Sequence, residues 1–189
     1  MHIAIYGGSF NPIHNGHLHL AREARRQMLL DEVWLMVSPH NPFKQSGTLL
    51  NDDLRLQLVE AAVKNETGLV ACDFEFSLPR PSYTWNTLQA LQKKHPNHQF
   101  SLLVGGDNWK AFDRWYACDK ILSNYNIIIY PRQGSPIDAA SLPPNVTLLN
   151  TRLYDISSSE IRRLVRIGQP VRHLVPSAVE EKIVEYYSR

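Results

Sequence analysis

Two histidines near the amino terminus, His14 and His17, have the spacing and the neighbours of a site that binds an anion. They follow a short apolar run, residues 2–6, that is typical of a buried strand, and a predicted turn that contains Gly7 and Gly8. Farther on, apolar residues recur with the period of a helix. A turn between a strand and a helix presents free N–H groups to a phosphate, and the helix dipole adds to the attraction. Three residues apart, the two imidazoles can point the same way at the start of this helix.

A second group of phosphate-binding residue types lies near the carboxyl terminus, in residues 156–162. There, Ser158 is predicted to cap a helix that ends at Gly168. The start of this helix offers backbone amides, Ser158 offers a hydroxyl, and Arg162 offers a guanidinium one turn later. Taken alone, the same spacing would fit an ordinary capped helix with a solvated arginine.

Strand-like runs alternate with helical patterns along the chain. The predicted strands are residues 2–6, 32–37, 69–72, 99–104, 126–130 and 146–149. The predicted helices are residues 16–29, 52–64, 85–94, 108–115 (with 116–122 as an open extension), 158–167 and 177–187. Runs this apolar must be covered on both faces, which predicts an α/β fold with a doubly wound parallel sheet. We expect one domain over residues 1–189, with a small helical appendage over about residues 156–189.

The motifs resemble those of a known superfamily. The segment 14–17 (His-Asn-Gly-His) resembles the HxGH signature of nucleotidylyltransferases, and residues 156–162 look like their ISSTxIR motif. Residues 82–88, 105–115 and 39–44 are similar to the SYTxxTL, GxDxxxxxxxW and proline-histidine-lysine segments of nicotinate (or nicotinamide) mononucleotide adenylyltransferases. The resemblance covers almost the whole chain and implies a Rossmann-like fold. It departs from the family at Asn11, Phe43, Asn86 and Ser159, where Asp, a second His, Asp and Thr are common.

This resemblance implies that the adenylyl group of ATP is transferred to nicotinate mononucleotide and pyrophosphate is released. The attacking phosphate monoester has a second pKa of about 6, so it is already a dianion at neutral pH and needs no general base. The protein must instead hold two anions together and stabilise charge during an in-line displacement. That requirement explains why the motifs carry donors and cations. The expected cofactor is Mg²⁺, delivered with ATP.

The residues and the resemblance together assign roles. His14, His17 and Arg162 are expected to be catalytic. The residues expected to bind ATP are Gly7, Gly8, Ser9, Phe10, His14, Gly16, His17, Lys44, Asp107, Arg132, Ser157, Ser158 and Arg162. Those expected to bind the mononucleotide are Tyr83, Thr84, Trp85, Asn86, Trp109 and Trp115. The sequence contains no cluster of carboxylates, so we do not expect a metal site made up of protein ligands.

Several of these assignments have an ordinary structural alternative. Lys44, on a long loop with two prolines, either closes over the phosphates or is a solvated lysine. Asp107 suits a ribose hydroxyl, a magnesium-bound water or the cap of the next helix. The aromatic residues form either a wall for the pyridine ring or part of the core. The helix dipole disfavours a protonated imidazole at positions 14 and 17 while a bound triphosphate favours it, so the sequence leaves the protonation state open.

The choice between the acid and the amide substrate is predicted from the segment 82–87. It carries hydroxyls and is predicted to open a helix with free N–H groups, and it contains no Asp or Glu. Asp113 is the one nearby acid in sequence and is expected to point away. These features predict a preference for nicotinate over nicotinamide mononucleotide.

Bulk composition excludes several classes of protein. The net charge of +2 over 189 residues is spread along the chain, which argues against a dedicated nucleic-acid surface. No apolar segment approaches the ~20 residues that span a bilayer, and the start of the chain lacks the pattern of a signal peptide. Cys72 and Cys118 are predicted to be free thiols, so a cytoplasmic protein is expected. The sequence does not predict the oligomeric state.

Two alternative functions remain open at this point, and a third is excluded. Pantetheine-phosphate adenylyltransferases share both terminal motifs but usually carry Thr at the position of His14 and lack the two middle segments. A non-catalytic nucleotide sensor would not require both histidines, Ser158 and Arg162 together. Aminoacyl-tRNA synthetases share a similar turn but are much longer and carry a tRNA-binding domain.

Overall fold

The sheet has the strand order of a dinucleotide-binding fold. The structure is a computed structural model, and it describes residues 1–39 and 49–188. Within these residues, six parallel strands form one sheet in the order β3-β2-β1-β4-β5-β6. The strands are β1 (His2–Gly8), β2 (Glu32–Val37), β3 (Leu69–Cys72), β4 (Gln99–Gly105), β5 (Asn126–Tyr130) and β6 (Val146–Leu148). This arrangement confirms the predicted α/β class and the doubly wound parallel sheet.

Helices follow the strands and cover both faces of the sheet. In the described ranges they are α1 (Asn15–Gln27), α2 (Asp52–Val63), α3 (Thr84–Lys94), α4 (Gly106–Lys110), α5 (Cys118–Asn124), α6 (Ser158–Arg166) and α7 (Glu180–Tyr187). Short 3₁₀ turns occur at Phe74–Ser77, Phe112–Arg114, Ala139–Ser141 and Ser177–Val179. The strand between α1 and α2 in the chain, β2, is rich in apolar residues, and helices on both faces of the sheet cover it.

The alternation of side chains along β1 explains how one strand supports two cores. Ala4 and Tyr6 point into a cluster beneath α1, α2, α6 and α7. Ile3 and Ile5 point into a second cluster, which includes Leu88 of α3. Because successive side chains of a strand face opposite sides of the sheet, β1 is apolar at every one of these positions.

The structure corrects three local predictions. The helix predicted over residues 108–115 is split into α4 and the 3₁₀ turn Phe112–Arg114, and α5 begins separately after Ala117, whose φ is 56°. The last predicted helix begins as the 3₁₀ turn Ser177–Val179 before α7. The cap of α6 is Ser157 rather than Ser158, because the Ser157 hydroxyl accepts the backbone N–H of Glu160. Propensity alone does not separate such neighbouring positions.

The strand order reverses between β1 and β4, and this point fixes where a ligand fits. β1 pairs with β2 on one side and with β4 on the other. The connections that leave the two central strands therefore run to opposite faces, and a crevice opens at their carboxyl ends. Of the helices in the described ranges, none combines the length and the apolar character that crossing a membrane requires.

Candidate active site

The turn after β1 is built by Phe10 rather than by the two glycines. Gly7 and Gly8 continue the strand, so the prediction that they form the tight turn is wrong. The chain turns at Phe10, which has a φ of 43° and is 2% exposed, and the Asn11–Pro12 peptide bond is cis. A Cβ atom at Gly8 would lie 3.1 Å from the Phe10 ring, whereas one at Gly7 would meet nothing within 4 Å. Gly8 therefore makes room for the buried ring, and Gly7 leaves open space beside the strand.

His14 and His17 cap α1 reciprocally. The Nδ1 atom of His14 accepts the backbone N–H of His17 at 3.4 Å, and the Nδ1 atom of His17 accepts the backbone N–H of His14 at 3.2 Å. An Nδ1 atom that accepts a hydrogen bond carries no proton, so in each neutral ring Nε2 carries it. The two rings are stacked, with centroids 3.6 Å apart. The helix cap thus leaves one N–H donor on each imidazole.

Burial keeps both imidazoles neutral in the free protein. Desolvation, with a smaller contribution from the charge of Arg132, lowers the pKa of His14 to about 3. Desolvation also lowers the pKa of His17 well below its ordinary value, and the charges of His14 and Arg132 act in the same direction. The question that the sequence left open is answered for this state, in which two neutral N–H donors stand at the start of α1.

The position of the His17 ring depends on Tyr6, Phe10 and Tyr130. The sequence analysis did not single out the two tyrosines, and it gave Phe10 another role, in ATP binding. The edges of Tyr6 and Phe10 contact it, with ring centroids 6.1 and 5.0 Å away. Tyr6 in turn forms a side-chain hydrogen bond with Tyr130 of β5. Tyr6 and Tyr130 lie on strands that are not sequence neighbours, so no local signal pointed to this contact. Gly16 completes the arrangement, since a Cβ atom there would lie 3.0 Å from Nδ1 of His14.

The carboxyl-terminal motif packs directly against the turn after β1. The Ser158 hydroxyl donates to the carbonyl oxygen of Pro12 at 2.9 Å. Arg162 donates from Nη1 to the carbonyl oxygen of Asn11 at 2.7 Å and from Nη2 to the Ser159 hydroxyl at 3.3 Å. Residues more than 140 positions apart in the chain thus contact each other. Such contact is necessary if both motifs are to bind the same polyphosphate.

Asp107 and Arg132 form an exposed pair on the other side of the crevice. Their side chains approach to 3.6 Å, and their exposed fractions are 53% and 42%. Asp107 lies at the start of α4, directly after β4, and Arg132 follows β5 and lies over the ring of Tyr130. An exposed ion pair of this kind is weak, so either group can exchange its partner for a charged ligand.

A cavity of about 180 Å³ lies at the carboxyl ends of the central strands. It is lined by Ile5, Gly7, Gly8, Met36, Ser38, Glu75, Thr84, Thr87, Leu88, Leu102, Leu103, Val104, Gly105, Asn108, Trp115 and Tyr130. The cavity therefore brings together Gly7, Gly8, Thr84 and Trp115 from the predicted site. It combines an apolar floor with a small number of polar groups, as sites for small organic ligands do.

The predicted aromatic wall is only partly assembled. Trp115 lines the cavity. Tyr83 is 46% exposed and packs against Tyr116 with the two rings tilted by 46° and their centroids 5.0 Å apart. Trp85 packs edge-on against the Tyr125 ring, and Trp109 stacks on the Phe112 ring. Trp85 and Trp109, like Trp115, are partly buried against the second core cluster, but unlike Trp115 they do not line the cavity, which favours the structural alternative for them.

Glu75 is an acidic residue of the cavity lining that sequence reasoning missed. It lies in the 3₁₀ turn Phe74–Ser77 after β3, and only 8% of it is exposed. Desolvation raises its pKa, although hydrogen bonds from Thr87, Ser38 and Ser82 oppose the shift. The segment 82–87 contains no acid, as noted, but an acid from another element reaches the same cavity. A glutamate between two phenylalanines, soon after a strand, was the available signal.

Comparison with known proteins identifies the family. The model of the cytidylyltransferase-like family matches residues 5–164. A Bacteroides fragilis protein named probable nicotinate-nucleotide adenylyltransferase is 46% identical over 181 residues, which cover 96% of this chain and 90% of that protein. A Cytophaga hutchinsonii protein of the same name is 43% identical over 190 residues, covering 100% of this chain and 99% of the other. The chain belongs to the nicotinate-nucleotide adenylyltransferase family.

Solved structures support the fold of this adenylyltransferase family member. The Plasmodium falciparum nicotinic acid mononucleotide adenylyltransferase complexed with NaAD has a TM-score of 0.81 at 22% identity, covering 98% of this chain and 95% of that chain. The structure of the same Plasmodium enzyme complexed with APC has a TM-score of 0.79 at 21% identity. At this level of identity the match concerns the fold alone, and it confirms the Rossmann-like nucleotidyltransferase architecture.

Lys44, predicted to bind ATP, lies outside the described residues, as do Phe43 and most of the proline-histidine-lysine segment. In residues 1–39 and 49–188, no three His, Cys, Asp or Glu side chains are grouped so that they could hold a metal ion.

Proposed function

We propose that this protein transfers the adenylyl group of Mg-ATP to nicotinate mononucleotide, giving nicotinate adenine dinucleotide and pyrophosphate in NAD biosynthesis. The observation that carries the proposal is the junction of the two motifs on the turn after β1. There, the neutral imidazoles of His14 and His17 lie beside the turn that Ser158 and Arg162 contact. Donors and a guanidinium at a helix start suit a polyphosphate.

The chemistry requires no protein nucleophile. An oxygen of the mononucleotide phosphate attacks the α-phosphorus of ATP, a P–O bond forms, and the bond to the departing pyrophosphate breaks. His14 and His17 donate from Nε2 to the negative charge that grows on the transferred and departing phosphates. Neutral donors suit this task, because the site is preorganised without first taking up a proton. Arg162, whose guanidinium is already directed at the turn by Asn11, supplies the fixed positive charge.

The ATP subsite follows from the groups around that turn. We assign Gly7, Gly8, Ser9, Phe10, Gly16, Ser157 and Ser158 to it as backbone or hydroxyl contacts, together with Lys44. Gly7 and Gly8 also line the cavity of about 180 Å³, so they border both subsites. Asp107 and Arg132 face each other across 3.6 Å and are assigned to the ribose and phosphate side of the nucleotide. Mg²⁺ enters as part of the Mg-ATP substrate and keeps most of its water ligands.

The mononucleotide subsite is the cavity of about 180 Å³. Trp115 offers a flat face to the pyridine ring, and Thr84 places the start of α3 beside it. Tyr83 and Asn86 stand near this start, while Trp85 and Trp109 pack against the second core cluster. The first turn of α3 has no side-chain cap, so its N–H groups favour a carboxylate over a carboxamide. A cytoplasmic location stays part of the proposal, because Cys72 and Cys118 are free thiols.

A pyrophosphate-release assay tests the proposed reaction. The purified protein is incubated with Mg-ATP and, separately, nicotinate mononucleotide, nicotinamide mononucleotide or phosphopantetheine, and the products are identified by mass. We expect release with nicotinate mononucleotide and a product of the mass of nicotinate adenine dinucleotide. The His17→Asn variant, matched in all other respects, controls for a contaminating activity. Release with phosphopantetheine alone, or with no acceptor in the panel, would refute the proposal.

A further inference from the structure

The helix start at the mononucleotide cavity is held without using its own N–H groups. The N-cap of α3 is Tyr83, which makes no side-chain hydrogen bond to the helix. The first backbone N–H of α3 with a partner in the helix is that of Thr87, which donates to the carbonyl oxygen of Tyr83 at 3.0 Å. An N-cap Ser or Asp would normally fix such a start by accepting one of the first N–H groups. In α3 those groups stay available to a ligand, so another contact must fix the helix start.

Glu75 makes that contact from outside the helix. Its Oε1 atom accepts a hydrogen bond from the Thr87 hydroxyl at 2.8 Å, and its Oε2 atom accepts one from the Ser82 hydroxyl at 3.4 Å. Ser82 precedes the N-cap and Thr87 lies one turn into the helix, so the carboxyl group spans the helix start. The Ser38 hydroxyl, directly after β2, also bonds to this group. One side chain thus links the end of β2, the turn after β3 and the start of α3.

Burying the Glu75 carboxyl group in this way costs folding free energy, so packing alone does not explain it. Glu75 is 8% exposed, and among the described residues it forms no ion pair with a lysine, arginine or histidine. A buried carboxyl group satisfied only by hydroxyls is expensive compared with an apolar residue of similar volume. The Glu75 carboxyl group lies at the wall of the cavity, which Ser38, Thr84 and Thr87 also line. Perturbed buried acids in clefts are typical of functional sites.

We propose that Glu75 is a positioning residue for the mononucleotide: through the hydroxyls of Ser82 and Thr87 it fixes the start of α3, so that the free N–H groups of its first turn face the pyridine substituent. The proposal rests on the proposed function. Glu75 itself does not take part in the chemistry. It acts through the helix start, and ATP, which binds at the turn after β1, does not depend on it.

Steady-state kinetics of matched variants test this role. Glu75→Gln keeps the size and a carbonyl oxygen that accepts the Thr87 hydroxyl, whereas Glu75→Ala removes both acceptors. In Glu75→Ala we expect the KM for nicotinate mononucleotide to rise about tenfold or more, as for lost buried hydrogen bonds. The KM for Mg-ATP and kcat should stay within about threefold. Glu75→Gln should restore the mononucleotide KM to near the wild-type value and leave the ratio of acid to amide turnover unchanged.

A glutamate elsewhere on the sheet provides the control. Glu32, at the other end of β2, accepts a 2.7 Å hydrogen bond from the indole of Trp34, so Glu32→Ala also removes one side-chain acceptor. It should leave all three kinetic constants unchanged. If Glu75→Ala fails to fold, Thr87→Val and Ser82→Ala remove the same hydrogen bonds from the opposite side and should raise the mononucleotide KM alone.

The possible results separate this role from the alternatives. Equal rises in both KM values, or a Glu75→Gln variant as impaired as Glu75→Ala, would overturn the positioning role. A Gln variant with a shifted acid-to-amide ratio would also overturn it, since the side chain would then contact the substrate directly. Active wild-type protein with unchanged kinetics in all Glu75 and Thr87 variants would refute only this inference. Wild-type protein without activity would refute the proposed function as well.

Discussion

The hydroxyl of Tyr187, in the last turn of α7, donates a 2.6 Å hydrogen bond to the side-chain oxygen of Asn11. Both residues are buried, at 5% exposure each. The same Asn11 oxygen accepts the backbone N–H of Leu50 at 3.1 Å, and the Asn11 carbonyl accepts Arg162. Asn11, one of the positions that depart from the family pattern, therefore ties the carboxyl-terminal helices to the turn that we assign to the ATP phosphates.

Loss of the Tyr187 hydroxyl is expected to loosen this turn. Tyr187→Phe keeps the ring packing and removes one hydrogen bond, so the free energy of unfolding should fall by about 1 kcal/mol. The KM for Mg-ATP should rise a few-fold while that for the mononucleotide stays constant. Denaturant titration and steady-state kinetics measure both effects. Tyr186→Phe, one residue earlier and only half-buried, is the control and should change neither quantity.

The two imidazoles are expected to act in catalysis separately from their role in the helix cap. His14→Asn keeps a side-chain oxygen that caps helices well but loses the Nε2 donor. By analogy with removal of an oxyanion donor, kcat should fall roughly 10²–10³-fold in His14→Asn and His17→Asn. The melting temperature of His14→Asn should change little. Near-normal turnover in either variant would contradict the role assigned to the histidines.

The buried histidines also predict how stability depends on pH. His14 has a pKa of about 3 in the folded protein against an ordinary value of 6.5, so between these pH values the unfolded chain binds more protons. Stability should therefore rise with pH across this window and level off above about pH 6.5. Each such histidine contributes at most about 1.4 kcal/mol per pH unit. Urea titrations from pH 4 to 7 should show a shallower slope for His14→Asn, and the exposed His173→Asn controls for the loss of an imidazole.

The planar guanidinium of Arg162 should matter more than its charge. Arg162 divides its donors between the Asn11 carbonyl and the Ser159 hydroxyl, a geometry that the ammonium group of lysine does not reproduce. Arg162→Lys should raise the KM for Mg-ATP about tenfold and lower kcat, with the mononucleotide KM nearly unchanged. Arg163→Lys, which affects an exposed ion pair with Glu160, is the control. A rise in the mononucleotide KM alone would mean that the two subsites are assigned the wrong way round.

The acid substrate should be preferred over the amide. We expect kcat/KM for nicotinate mononucleotide to exceed that for nicotinamide mononucleotide by at least about tenfold, or ~1.4 kcal/mol. The uncapped start of α3 favours a carboxylate, because its free N–H groups and the helix dipole attract an anion. Competition between the two substrates at saturating Mg-ATP gives the ratio directly. Equal values would show that the helix start does not set the preference.

The sequence by itself determined the fold class, the strand positions and the two motifs to which we assign phosphate binding. Strands β2, β3 and β5 have the predicted bounds, and the others differ by at most two residues at an end. These features are encoded locally, because an apolar run of strand length or a capped amphipathic segment is set by neighbouring residues. His14, His17, Ser158 and Arg162 could be found for the same reason, since each stands at a fixed offset within its motif.

Only the tertiary structure decided the contacts between distant segments. The pairing of Tyr187 with Asn11 joins positions 176 residues apart, and Glu75 reaches Thr87 from a different element. Trp85 and Trp109 lie outside the cavity because of the rings that pack against them. His14 and His17 are neutral because of the groups that bury them. Burial and long-range hydrogen bonds shift a group's pKa and orientation by amounts that its own neighbours in sequence do not record. For that reason the motifs predicted the region that we assign to catalysis, while the packing of the sheet and the last helix defined its geometry.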